Sequence, residues 1–245
     1  MKNKYGPDRF DRQFKILESY YNKPVENNRA IDLYRHGARR PLFMLEALAR
    51  IYYKITESEV FRKQLDYYKN LEDLLGQIDH YEGLLKSTSN AIHTGYFLLK
   101  RKQAEADLNR ELHSGEKFKG LQKLKRFKKQ LQSYKWPSEQ KETAAVENLF
   151  RKEFRKIREK IISGELGYGD VEQVHELRRK LRWLSIYSEA LDGMVVLGGS
   201  KKKAFAKYRT KAIQGSAFSK LPKHKKPLSK IYFDHDHFFA LCWIV

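Results

Sequence analysis

DVEQVHELRRKLRWLSIYSEALDGMVVL, Asp170 to Leu197, is the stretch from which the rest of the chain is best read. Val174, Leu177, Leu181, Leu184, Tyr187, Ala190, Leu191 and Met194 recur at steps of three and four, the repeat of one face of an α-helix. Asp170 follows the Gly167-Tyr168-Gly169 run and is placed to cap that helix, its carboxylate accepting amide hydrogens of the first turn. Interleaved with the apolar face is a second set, His175, Arg178, Arg179 and Arg182, at i, i+3, i+4 and i+7. That spacing stacks four nitrogen-bearing side chains along one stripe. Stacked like charges repel, so the stripe calls for an anion lying across it.

The composition points the same way. Fifty Lys and Arg stand against 30 Asp and Glu, a formal charge of +20, which implies a polyanionic partner: nucleic acid, a polyphosphate-type chain or an anionic membrane surface. Hydrophobic residues make up 41% of 245, enough for a folded core and against a disordered chain. Cys242 is the single cysteine, so no disulfide forms within the chain and no cysteine zinc site is available; a reducing compartment is expected. His235 and His237, at i and i+2, point to different sides of a helix and make a poor metal pair. No cofactor or metal is expected. The N-terminal MKNKYGPDRFDRQFK has no apolar signal core and the apolar run 238–245 is too short to span a bilayer, so the reading is a cytoplasmic protein without membrane insertion.

Outward from the central stretch, the pattern stays helical. Phe10, Phe14, Leu17 and Tyr21 mark a helix over 8–22 that ends by Pro24. Residues 31–53 read as helix interrupted at Pro41, and Thr56-Glu57-Ser58-Glu59 has the capping-box pattern ahead of a helix running to about Lys86. Ser89 opens a further segment to about Leu112. Lys117 to Lys135 has no acidic residue and an apolar stripe of Phe118, Leu121, Leu124, Phe127 and Leu131; Lys125 lies on its basic side. Ser138 starts a helix to about Ile162, with Phe150, Phe154, Ile157 and Ile161 inward and Arg151, Arg155 and Arg158 as an adjacent basic row. Between Gly193 and Phe233 the charged residues are all Lys and Arg, Lys202 and Lys203 among them. Strand alternation and a Gly-rich phosphate loop are not found, and the fold class expected is all-α, antiparallel helices with short connections.

The central motif has an echo: His36, Arg39, Arg40 and Phe43 take the offsets of His175, Arg178, Arg179 and Arg182. Together with VHELRRKLRWLSIYSEAL, this resembles the CHAD family, helical domains named for a histidine on an α-helix, in which each half opens with His-x-x-Arg and further basic residues one and two turns on. LEDLLGQIDHYEGLL, 71–85, is similar to that family's leucine-glycine segment, with Asp79-His80 where the family has an Arg-Asp pair. The resemblance implies a single domain of two pseudo-symmetric antiparallel bundles, with halves near 28–135 and 138–245, enclosing a basic cleft. It implies non-catalytic binding of inorganic polyphosphate or a similar phosphate polymer. On that reading the binding residues are His175, Arg178, Arg179, Arg182, His36, Arg39 and Arg40, extended by Arg151, Arg155, Arg158, Lys125, Lys202 and Lys203. Arginine suits the task because its planar fork offers paired donors to phosphate oxygens.

Two alternatives stand beside it. Arg35 to Pro41 reads RHGARRP and also matches the Arg-His-Gly-x-Arg-x-Pro signature of the histidine acid phosphatases, with His235-Asp236 or Asp236-His237 as the later acid pair. That chemistry needs a buried strand just ahead of the motif, whereas NNRAIDLY reads as helix. The second alternative is nonspecific nucleic-acid binding, which charge with interleaved aromatics supports without any recognised nucleic-acid motif.

Overall fold

The computed structural model describes residues 5–26, 28–114, 117–167, 170–192, 194–198, 211 and 231–234. By its internal contacts the chain divides into two units, Met1–Trp136 and Pro137–Val245.

In the first unit, α1 (Tyr5–Tyr21) buries Phe10, Phe14, Leu17 and Tyr21 to 2% exposure or less, as their periodicity predicts. Complete burial of such side chains contributes about 1.5–3 kcal/mol each. Helix α1 packs on α3 (Arg39–Thr56) and on α6 (Gly120–Ser133). The long pair α4 (Glu59–Ser87) and α5 (Ala91–Leu112) forms an antiparallel hairpin, with α3 against α4. The short α2 (Arg29–Arg35) is held by α4 and α5. Asn28 caps it through the Ile31 amide, and Asn109 of α5 accepts the Ala30 amide at 3.0 Å. Phe10, Tyr52, Phe61 and Trp136 form an aromatic cluster in which Trp136 meets Tyr52 edge-on at 5.0 Å and Phe61 at 5.6 Å. Such pairs stabilise by about 0.5–1.5 kcal/mol beyond the area they bury.

In the second unit, α7 (Glu139–Ile162) packs on α8 (Val171–Ala190), with Phe150 edge-on to Tyr187 at 6.3 Å. The apolar face of α8 is buried from Leu177 through Leu181, Leu184, Tyr187 and Ala190, and Leu191 and Met194 beyond the helix are buried too.

Several boundaries differ from the expectation, each for a local reason. The break in 31–53 lies at His36-Gly37-Ala38, where Gly37 takes φ +75°, a conformation glycine adopts at no steric cost. Pro41 sits in the first turn of α3, where its missing amide hydrogen would have had no helical partner. Ser58, not Thr56, caps α4; the Thr56 hydroxyl donates back to the Tyr52 carbonyl at 2.6 Å and closes α3. The helix from Asp170 ends at Ala190, and the chain turns at Asp192 with φ +51°.

Short strands also occur where none were expected. β1 (His113–Ser114) pairs antiparallel with β2 (Lys117–Phe118), so α6 begins at Gly120, three residues later than the basic run. β3 (Val195–Gly198) pairs in parallel with β4 (Ile231–Asp234), in register Val195 to Ile231. Two-stranded ladders of two and four residues are too short to leave an alternation that a sequence window detects. The architecture remains predominantly helical, with eight α-helices among the described residues.

Candidate functional site

Helix α8 carries the strongest candidate. The Asp170 carboxylate accepts the Gln173 amide at 2.7 Å, the cap its position predicts, and this sets the phase of the helix. With Leu177, Leu181 and Leu184 buried, His175, Arg178, Arg179 and Arg182 fall on the exposed side. From His175 to Arg182 the helix rises about 10 Å, at about 1.5 Å per residue. Glu176 stands within the row: it accepts Arg179 Nη2 at 2.7 Å and Lys180 Nζ at 3.0 Å. Burial pushes the Glu176 carboxyl up, but its hydrogen bonds and charge contacts with Lys180 and Arg179 outweigh this and hold it below the ordinary range. The row is therefore a cationic stripe in which Arg179 is already engaged by Glu176. Glu176 lies between His175 and Leu177 in the motif itself, yet carries no weight in a reading that looks only for bases.

On α7, Arg151, Arg155 and Arg158 are exposed, and Arg151 is turned onto Glu147 of its own helix at 2.6 Å. Lys202 and Lys203 lie outside the described residues.

The first-unit residues have a different local structure. His36 closes α2 rather than standing on a helical stripe, and its ring stacks on Tyr20 at 5.9 Å, 16° from parallel. Arg39 opens α3 and is bound by two carboxylates of α4: Nε donates to Glu72 at 2.7 Å and Nη1 to Asp79 at 2.8 Å. Tyr34 donates to the other oxygen of Asp79 at 3.1 Å. Gly76 of α4 makes the room, since a Cβ there would stand 3.0 Å from Arg39 Nη2. The Arg39 guanidinium also lies over the Phe43 ring at 5.8 Å. Arg40 and Lys125 are exposed. Thus the echo preserves the residue spacing, but Gly37 separates His36 from Arg39 where the second motif runs through one unbroken helix.

RHGARRP is preceded by the helix α2, in the place where the phosphatase chemistry needs a strand. His235 and Asp236 lie outside the described residues. Among the described residues no group of three or more His, Cys, Asp or Glu is arranged to hold a metal ion, and no helix is long and apolar enough to cross a membrane.

Compared with known proteins, the chain matches no family model, no curated protein and no solved structure.

Proposed function

We propose that the chain binds inorganic polyphosphate, or a similar phosphate polymer, without turning it over, and that the α8 row is the primary contact. The observation that carries this reading is the exposure of His175, Arg178, Arg179 and Arg182 on successive turns of one helix whose opposite face is buried. A flexible polyanion offers roughly one charge per monomer and little shape, so regular cationic spacing is what recognises it. Each charge-assisted contact to a phosphate oxygen contributes about 1.5–3 kcal/mol. Arg151, Arg155 and Arg158 on α7 supply further cations within the same unit.

Calorimetric titration with long-chain polyphosphate at about 0.3 M salt tests the reading, because loose surface attraction is then largely screened. Orthophosphate, single-stranded DNA and an Arg178→Ala/Arg182→Ala variant serve as comparisons. Tight binding to polyphosphate that falls at least about tenfold in the variant supports the assignment. Equal binding to DNA, or an unchanged variant, overturns it in favour of general charge attraction.

A further inference from the structure

The first unit presents a second surface, at the turn joining α4 and α5. Asn90 caps α5 by accepting the amides of Ile92 and His93 at 2.9 and 3.2 Å. The helix that follows has its apolar residues on two sides. One side, Ala104, Leu108 and Leu112, is buried in the unit. The other, Ile92, Tyr96 and Leu99 at i, i+4 and i+7, is turned outward and remains 83%, 52% and 65% exposed. Scattered exposed apolar residues need no explanation, but a stripe in helical register on an outer face does.

The charges around the stripe indicate what covers it. Lys100 and Lys102 lie roughly 80° to either side of its centre, at about 100° per residue. Lys100 Nζ stands 5.6 Å from the Tyr96 ring, and Lys86 at the end of α4 is exposed on the same turn, loosely paired with Glu82 at 3.9 Å. From Ala91 to Lys102 there is no acidic residue. An apolar centre with a tyrosine, rimmed by cations whose aliphatic stems can lie along it, matches the interface of a bilayer with anionic headgroups. A second copy of the chain fits poorly. The stripe exposes a few hundred Å², short of the about 800 Å² per partner of a stable complex, and its rim is not charge-complementary to itself.

We infer that the outer face of α5, centred on Ile92, Tyr96 and Leu99, docks on an anionic lipid surface. The helix lies in the headgroup layer, with the three apolar side chains entering it and Lys86, Lys100 and Lys102 meeting lipid phosphates. This is surface attachment by the first unit, separate from the α8 row, and it does not depend on polyphosphate binding.

Vesicle co-sedimentation of the full chain at about 0.15 M salt tests it, comparing phosphatidylcholine alone with a mixture containing about one third phosphatidylglycerol. The apolar variant is Ile92→Ser/Tyr96→Ser/Leu99→Ser and the charge variant is Lys100→Gln/Lys102→Gln, each checked for helix content by circular dichroism. Arg178→Ala/Arg182→Ala removes two charges elsewhere and measures what charge alone contributes. Wild-type protein is expected to bind the anionic vesicles, the apolar variant to lose about tenfold or more, and the charge variant to lose more than the α8 variant. No wild-type binding, or an apolar variant that binds like wild type, overturns the inference. So does concentration-dependent dimerisation that the apolar variant abolishes, which would make a second copy the occupant.

Discussion

Arg39 Nε lies 2.7 Å from Glu72 Oε1 while its Nη1 lies 2.8 Å from Asp79, so one guanidinium at the start of α3 ties down two carboxylates that stand about two turns apart on α4. The Glu72 side chain is only 7% exposed and cannot turn to solvent if its partner is removed. Arg39→Ala is therefore expected to destabilise the first unit by about 1–3 kcal/mol, the cost of a buried charged acceptor left unsatisfied. Arg39→Lys should recover only part, because an ammonium lacks the fork that spans both carboxylates. Urea denaturation measures both, and an unchanged midpoint for Arg39→Ala would refute the role.

Glu46 of α3 is 2% exposed and receives Arg50 Nη2 at 2.5 Å. Burial raises its carboxyl above the ordinary 4.5, and the Arg50 contact offsets this only in part. The folded state thus holds the proton more tightly than the unfolded chain. Stability linked to Glu46 is full below the unfolded value and is lost as pH rises through the raised folded value. Glu46→Gln should flatten that part of the pH–stability curve, with wild type falling relative to the variant as pH rises from about 4.5. Parallel curves for the two proteins would exclude the linkage.

A Cβ added at Gly6 would overlap the six-membered ring of Trp136, and the ring cannot retreat freely because its Nε1 donates to the Leu131 carbonyl at 2.8 Å. Gly6→Ala is expected to cost about 1–3 kcal/mol by overpacking. It should also shift the tryptophan emission of the folded protein, since the indole must move toward or away from Tyr52. Thermal denaturation followed by fluorescence reads both effects, and a variant with wild-type stability and emission would contradict the packing.

Within the α8 row, Glu176 competes for Arg179 and Lys180. Glu176→Gln should release both and raise affinity for polyphosphate about threefold to tenfold, as expected when one partly exposed opposing charge is removed. Titration calorimetry at matched salt measures it. Weaker binding in this variant would mean that Glu176 positions the arginines instead of restraining them.

The helical face of 177–190 was legible because burial repeats with the helix: every third or fourth residue meets the core, and the exposed row follows from the same phase. The α1 stripe was legible for the same reason. What escaped depends on partners distant in sequence or on single backbone angles. The break lies at Gly37 and not at Pro41: proline's effect is visible in any sequence, while a glycine's positive φ is chosen by the packing around it. Glu72 and Asp79 emerged as partners of Arg39 only when α3 and α4 were brought together, 33 and 40 residues apart in the chain. The outward stripe of α5 has the spacing of a buried face, and periodicity alone cannot say which of two apolar faces the fold covers.

Trp136, the last residue of the first unit, packs on Phe10 of the first helix and on Tyr52 and Phe61 between them. The contact closes the unit end to end, so on the ribosome the apolar face of α1 has no complete seat until the whole stretch has left the exit tunnel. At about 5–20 residues per second, that interval is on the order of ten seconds. During it, Phe10, Phe14 and Leu17 are open to other nascent chains and to chaperones.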